Sequence, residues 1–151
     1  MREVFRPTLD GCEPMPGVVE SVRDLRAAGL QLAVVSSAAY HPFLLWTLEK
    51  FGIDDCFVTV LTSASTGHYK TSTRIYEIAL EELSVAPGAC IHIGDSERFD
   101  VDPARSLGIH TVLYQPADVP HAVDCRADLR LTSLEDLGAV LDGRFGLSNE
   151  V

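Results

Sequence analysis

Polar side chains follow three separate apolar runs of the sequence, at points where strands would end. They are Ser36 and Ser37 after LQLAVV, Lys70 in the loop after FVTVL, and Asp95 after ACIHI. Ligands of open parallel sheets gather beyond the carboxyl ends of the strands, so we expect these groups to converge on one edge. Hydroxyls, an ammonium and a carboxylate in one place suit an anionic ligand held together with a cation.

The segment GDSERFD (94–100) contains two acids, Asp95 and Asp100, directly after an apolar run. Gly94 permits a tight exit from the strand, and a short loop can fold both carboxylates towards one point. Two close negative charges need a cation, and hard oxygen ligands with room for water suit Mg²⁺. The competing interpretation is that Asp100 only caps the next helix. The position after a strand and a glycine favours the metal site.

Ser36 and Lys70 carry the groups that an anionic phosphate would need. Ser36 could donate a hydrogen bond to a phosphate oxygen, assisted by N–H groups at the start of the following helix. Lys70 could neutralise a phosphoryl group and keep an acidic nucleophile charged. The ordinary alternatives are a polar residue that closes a strand and a solvated loop lysine. For His92, which lies inside an apolar run, we expect a core or sheet-face role.

Helical and strand patterns alternate along the chain that must position these residues. Helical spacing predicts helices over 17–29, 42–51, 72–83, near 101–107, and from Thr132, where Glu135 completes a capping-box pattern. Short apolar runs predict strands over 30–35, 57–61, 89–93, 109–113 and near 128–131. The first strand suits burial on both faces. The alternation implies right-handed βαβ units and a three-layer α/β/α, Rossmann-like parallel sheet.

The composition fits one soluble domain and excludes several classes of protein. The 151 residues carry a net charge of -10, which argues against a nucleic-acid-binding or membrane-binding surface. No segment resembles a signal peptide or a membrane span. The four cysteines include no Cys-x-x-Cys pair, so a structural zinc site is disfavoured and a reducing, cytoplasmic location is expected. We divide the chain into an N-terminal segment (1–16), a core domain (17–142) and a tail (143–151).

Three segments together resemble the haloacid dehalogenase (HAD) superfamily of hydrolases, over about residues 14–142. PMPGVVESVRDLRAAGLQLAVVSS resembles the region that ends at the second motif of that family, here Ser36. GHYKTSTRIYEIAL resembles the third-motif region and places the family lysine at Lys70, although Thr71 stands where a proline usually follows. IHIGDSERFDVDPARSLGI resembles the fourth motif, with its magnesium-binding acids at Asp95 and Asp100.

The resemblance implies a Rossmann-like core that transfers phosphoryl groups from small phosphorylated metabolites. In the family an Asp attacks phosphorus to form an aspartyl-phosphate, and a second Asp two positions later acts as acid and base. The serine and lysine hold the transferring oxygens, and Mg²⁺ offsets the charge. A minority of the family displaces halide from carbon without the metal. The acidic pair favours the phosphate branch here.

The first motif of the family, Asp-x-Asp after an N-terminal apolar strand, has no clear match. The nearest candidate is VFRPTLDG (4–11), in which Asp10 would be the second acid and Thr8 would stand at the nucleophile position. The alternative is that residues 1–16 belong to a cap domain or its linker, with the nucleophile strand upstream of Met1. We therefore expect this chain alone to hydrolyse phosphate esters slowly or not at all.

In the family this first strand lies at the middle of the sheet, between the strands that here end at Ser36 and Asp95, so the resemblance implies that its loss would leave the sheet open there. We expect the N-terminus, another chain such as the second subunit of a homodimer, or a rearranged pairing to fill this opening. A functional alternative is a non-catalytic module that binds Mg²⁺ or phosphate, or a partner. A phosphoacceptor receiver domain is the least favoured alternative, since Thr62 and Ser63, and no Asp, follow the middle strand FVTVL (57–61).

Overall fold

The computed structural model describes residues 1–118 and 124–147, which form five strands and seven α-helices. The strands are β1 (Leu32–Ser36), β2 (Phe57–Thr62), β3 (Ile91–Gly94), β4 (His110–Tyr114) and β5 (Leu129–Leu131). The helices are α1 (Arg2–Gly11), α2 (Val18–Ala27), α3 (His41–Phe51), α4 (Ser63–Thr66), α5 (Arg74–Leu83), α6 (Asp102–Ser106) and α7 (Leu137–Phe145). A π-helical turn, Glu97–Val101, precedes α6. Within these residues, no helix combines the length and apolarity that a bilayer crossing needs.

All strand pairs in the described residues are parallel, as the alternation of helices and strands predicts. β1 pairs with β2, and β4 lies between β3 and β5. The fold class is therefore α/β, with helices on both faces of a parallel arrangement. The predicted strands are all present, with boundaries that move by one or two residues.

The last helix begins later than its capping pattern predicts, and that prediction was wrong. Instead of starting at Thr132, α7 starts at Leu137 after Asp136, whose φ is 55°. The Ser133 hydroxyl accepts a hydrogen bond from the backbone N–H of Glu135, 3.1 Å away. This local side-chain turn competes with the helix for the same backbone donor. The helix extends to Phe145, so the first residues of the predicted tail are helical.

Apolar side chains of helices cover the sheet on both faces. On one face α5 contributes Ile75 and Tyr76, which are almost fully buried, and packs against Val35 of β1 and Leu61 of β2. On the other face α2 and α7 pack against strand residues of both sheets, namely Leu32, Ile91, Ile93, Val112, Leu129 and Leu131. β1 and β3 do not pair with each other in the described residues, so the structure contains two sheets. The two sheets are joined through α2 and α7, which pack on strands of both.

The region between β1 and β3 is open in the described residues. β1 pairs only with β2 and β3 only with β4, and the two strands are not at the spacing of paired strands. Every residue of β1 and of β3 is partly exposed, whereas three consecutive residues of the central β4 are buried. The expectation that β1 is buried on both faces is therefore not met, because β1 has a paired neighbour on only one side in the described part of the chain.

The N-terminal residues form a helix, so the candidate first-motif segment 4–11 does not begin with the apolar strand that this motif follows in the family. The Phe5 ring stacks on Tyr40, with centroids 5.0 Å apart, beside Trp46 of α3. Near the far end of α3, Lys50 Nζ donates to the carbonyls of Leu9, Asp10 and Cys12, at 2.8, 2.8 and 2.7 Å. The N-terminus therefore packs on α3 and does not fill the opening.

Candidate active site

The loop after β1 and the end of β2 are joined by hydrogen bonds at one edge of the sheet. Ser36, the last residue of β1, lies in register with Thr62, the last residue of β2. The carbonyl of Ala38 accepts hydrogen bonds from the Ser63 hydroxyl at 3.0 Å and from the N–H of Ala64 at 3.3 Å. The segment that follows Ser36 is therefore fixed against the start of α4.

The Ser36 side chain lies at this edge and contributes to the turn that follows it. Its Oγ accepts a hydrogen bond from the N–H of Ala38, 3.2 Å away, which leaves the hydroxyl hydrogen free to donate to a ligand. Ser37 is exposed beside it. Nδ1 of His41, at the start of α3, lies 3.0 Å from the hydroxyl of Thr62.

Lys70 connects the end of β2 to the loop after β3. Its Nζ lies 2.6 Å from Asp100 Oδ1, and the two side chains are 18% and 1% exposed. The short helix α4 lies between the end of β2 and Lys70. The Thr62 side chain caps its start, and Gly67 ends it with a φ of 75°. The contact shows that the carboxyl ends of β2 and β3 face the same edge of the fold.

Both carboxylate oxygens of Asp100 accept hydrogen bonds. Oδ1 accepts from Lys70 and from Nε2 of His92, 3.0 Å away, and Oδ2 accepts from the backbone N–H of Ser96 at 3.0 Å. Burial raises the pKa of Asp100, but the hydrogen bonds from His92 and Lys70 and the charge of Lys70 outweigh it and hold the pKa below its ordinary value. Asp100 is therefore a buried anion.

Gly94 leaves the space that this carboxylate occupies. A Cβ at Gly94 would lie 2.1 Å from Asp100 Cγ and 2.4 Å from its Cβ. Only a residue without a side chain permits this approach. The glycine before Asp95 thus does more than turn the chain, since it admits the side chain of Asp100 against β3.

Tyr76 packs on the buried side of the group formed by Lys70, His92 and Asp100. Its hydroxyl donates to the carbonyl of Phe99 at 2.6 Å, and its ring meets His92 edge-on with centroids 4.9 Å apart. Burial and the negative charge of Asp100 raise the pKa of Tyr76, so the phenol stays a neutral donor. Through Phe99, this hydrogen bond fixes the backbone next to Asp100.

Asp95 is exposed at the end of β3, in contrast to Asp100. As an exposed carboxylate it suits a hydrated Mg²⁺, whereas the oxygens of Asp100 are already engaged by three donors. In residues 1–118 and 124–147, no group of three His, Cys, Asp or Glu side chains is arranged to hold a metal ion. The residues therefore fit a magnesium site only in part, with Asp95 as the available ligand.

The partners of Asp100 were not predicted from the sequence. The structure joins Lys70 with Asp100 and places Ser36 and Asp95 at the same edge, whereas His92, Tyr76 and Ser96 were not expected there. A signal for His92 was present in the sequence. Alternate strand residues face the same side, so His92 shares the side of Gly94 on which Asp100 rests.

Residues 2–108 match the profile of the haloacid dehalogenase-like hydrolases. The chain belongs to this family. Haloacid dehalogenase-like hydrolase domain-containing protein 3 from Bos taurus is 38% identical over 137 residues, which are 89% of this chain and 54% of that protein. Ribulose-1,5-bisphosphate 5-phosphatase from Halopiger xanaduensis is 27% identical over 85% of this chain and 55% of its own length.

Solved structures of the HAD family share this fold. The crystal structure of a HAD phosphatase from Thermococcus onnurineus matches with a TM-score of 0.82 at 25% identity, over 94% of this chain and 64% of that one. A 2-haloacid dehalogenase from Pseudomonas syringae matches with a TM-score of 0.76 at 23% identity, over 94% and 60% of the two chains. The present chain therefore spans about half the length of the curated relatives that it matches.

Proposed function

We propose that this HAD-family chain is the core of a phosphatase that acts on small phosphorylated metabolites in the cytoplasm. Ser36, Ser37 and Lys70 would bind the phosphate, and Asp95 would hold Mg²⁺ at the same edge. The Lys70–Asp100 contact carries the proposal, because it brings the carboxyl ends of two strands to one site. Two curated relatives with phosphatase names, one acting on ribulose-1,5-bisphosphate and one on glyceraldehyde 3-phosphate, support this branch of the family.

Each protein group has a distinct part in this proposal. The Ser36 hydroxyl donates a hydrogen bond to a phosphate oxygen, and Lys70 provides positive charge beside it. Asp100 holds Lys70 at the edge from its buried position, a role that the geometry favours over direct magnesium binding. Mg²⁺, when held by Asp95, would offset the negative charge of the phosphate.

The chain offers no nucleophile at this edge from the candidate first motif. Thr8 and Asp10 lie in α1, and the carbonyl of Asp10 is bound by Lys50 in the last turn of α3. Because α3 begins beside the Ser36 loop and runs away from it, Asp10 lies towards the opposite end of the fold. We therefore expect turnover close to background for the chain alone.

A Mg²⁺-dependent turnover assay on an aryl phosphate tests this expectation. Wild type and Asp10→Asn should both remain near the rate of the uncatalysed reaction. Robust wild-type turnover that Asp10→Asn abolishes would show that the N-terminal segment does supply the catalytic acid, and would refute the assignment made from α1.

A non-catalytic module that binds Mg²⁺ or phosphate is the second candidate. It is supported by the position of Thr8 and Asp10 in α1, away from the edge where Ser36, Ser37 and Lys70 would bind phosphate. It predicts Mg²⁺ or phosphate binding that Asp95→Asn abolishes and that Asp54→Asn, an exposed acid before the amino end of β2, leaves unchanged. Sequencing the DNA upstream of Met1 separates the candidates, because an in-frame apolar strand ending in Asp-x-Asp would indicate a phosphatase.

A further inference from the structure

The turn Glu97–Val101 is wound more widely than an α-helix. The N–H of Val101 donates to the carbonyl of Ser96 at 3.1 Å, and the N–H of Asp102 donates to the carbonyl of Glu97, in each case five residues back. In an α-helix these bonds run four residues back. The π winding is rare and occurs mostly as single turns within helices, frequently at functional sites. Contacts from outside the turn can therefore decide which winding it adopts.

The winding of this turn determines where Asp100 points. The helix α6 follows directly and is anchored by Pro103 and Ala104, which are both buried. Each residue of an α-helix turns the chain by about 100°, so a change of one residue in the winding would rotate Asp100 by about that angle relative to α6. Asp100 would then leave the space over Gly94 and the contact with Lys70.

Arg126 contacts both ends of the turn. Its Nη2 lies 3.2 Å from Oε2 of Glu97 and 3.1 Å from Oδ2 of Asp102. Its backbone N–H donates to the other carboxylate oxygen of Glu97, 3.0 Å away. Glu97 is the first residue of the turn, and Asp102 follows its last residue. One side chain therefore bridges two acids that are five positions apart.

This spacing of the two acids favours the π winding. Positions five apart lie about 140° from each other around the axis of an α-helix, so Glu97 and Asp102 would point to different sides of it. Where hydrogen bonds run five residues back, the two positions return to nearly the same side. The ordinary case is on α5, where Arg74 pairs with Glu77 and Glu81, three and seven positions on. The bridge made by Arg126 therefore belongs to the observed winding.

The backbone around Arg126 is itself held by the neighbouring elements. Its carbonyl accepts a hydrogen bond from Nη1 of Arg105 in α6. Two residues further on, the carboxylate of Asp128 accepts from the backbone N–H of Thr111 in β4, 2.8 Å away. The segment is thus fixed to α6 and to the sheet, while the Arg126 side chain, which is 59% exposed, reaches the turn.

We propose that Arg126 is a positioning residue of the candidate active site. By bridging the two ends of the turn it selects the π winding, and so keeps Asp100 against β3 and paired with Lys70. Arg126 touches no ligand in this role and acts only through Asp100. The role requires no phosphate chemistry, so it stands apart from the proposed function.

Arg126→Gln tests the proposal, because it removes the charge and keeps the backbone N–H. Residue-resolved hydrogen exchange should show the amides of Asp100 and Val101 exchanging about three- to tenfold faster, as expected from the loss of two exposed ion pairs that oppose opening of the turn. The chain has only two lysines, Lys50 and Lys70. Acetylation followed by mass spectrometry therefore reads the exposure of Lys70 against Lys50, and this ratio should rise by a similar factor.

Three controls separate a bridge between charges from simple packing. Arg126→Lys should stay within about twofold of wild type, since an ammonium can lie between both carboxylates. Arg74→Gln, which takes an arginine from two exposed acids on α5, should change neither measurement. About 1 M sodium chloride should bring wild-type exchange in the turn close to that of Arg126→Gln and leave the variant almost unchanged, because salt screens exposed charges.

Four results would overturn the proposal. The first is wild-type exchange in Arg126→Gln, and the second is equally fast exchange in Arg126→Lys. The third is the same acceleration throughout β4, which would indicate a general loss of stability. The fourth is unchanged acetylation of Lys70 while the turn exchanges faster, which would separate the winding from the position of Asp100. All four are measured without phosphate, so the proposed function is judged separately.

Discussion

Asp100→Asn should destabilise the fold strongly, although it changes few atoms. The substitution keeps the size of the side chain but removes the charge that faces Lys70, and its amide nitrogen can face the donors of Lys70 or His92. Removing one partner of a buried ion pair costs about 3–5 kcal/mol. We expect about 3 kcal/mol, at the lower end, because Lys70 is 18% exposed and retains some contact with water.

Asp102→Asn is the matched control on the same segment. Its carboxylate pairs with Arg126 at 3.1 Å, but the two side chains are 41% and 59% exposed. Exposed pairs contribute about 0–1 kcal/mol, so this variant should unfold almost like wild type. Urea unfolding at pH 7 measures the free energy of unfolding for both variants.

The effect of Asp100→Asn should shrink in acid. The pKa of Asp100 is lowered in the folded state, so its contribution is full above the unfolded-state pKa of about 3.9 and is lost as pH falls towards the folded value. At pH 3 the difference between wild type and variant should be about 1 kcal/mol smaller than at pH 7. Two results would refute the role of Asp100 as a buried anion. One is a loss of unfolding free energy in Asp100→Asn at pH 7 that is no larger than the loss in Asp102→Asn, and the other is a loss in Asp100→Asn that grows in acid.

Three further substitutions test the packing around the site. Gly94→Ala should cost about 3 kcal/mol or more in urea unfolding, because its Cβ would lie 2.1 Å from Cγ of Asp100, whereas Gly88→Ala, with nothing within 4 Å, should stay within about 0.5 kcal/mol of wild type. Tyr76→Phe should cost about 1 kcal/mol in the same assay, since it removes a 2.6 Å hydrogen bond. Lys50→Met should speed amide exchange in α1 and leave β4 unchanged, because Lys50 holds three carbonyls at the end of α1; equal exchange in α1 would contradict this.

The regular elements of the core were predictable because apolar periodicity determines them. The run LQLAVV contains the strand β1, as its apolar residues predict. The helical spacing of apolar residues in RIYEIAL likewise predicts α5. The edge that gathers Ser36, Lys70 and Asp95 follows from the parallel order of the strands. What the sequence predicted best was therefore the placement of strand ends.

Contacts that depend on three-dimensional detail were not predictable. The π-helical turn Glu97–Val101 brings Asp100 back onto β3, and no periodic pattern of apolar residues predicts such a turn. As a result, the acid expected to bind a metal is held by Lys70 and His92 instead, and its part in binding a cation remains a prediction. The helix α1 was missed because Pro7 lies inside it and its apolar residues are few.

The central claim is that three strand ends form one phosphate-binding edge. The direct test is a titration of the full chain with inorganic phosphate and Mg²⁺, followed by residue-resolved NMR. We predict saturable shifts of the amides of 36–38, of Lys70 and of 94–96, with much smaller shifts along α1 and in β5. Shifts absent from this edge, or confined to arginine side chains elsewhere on the surface, would contradict it.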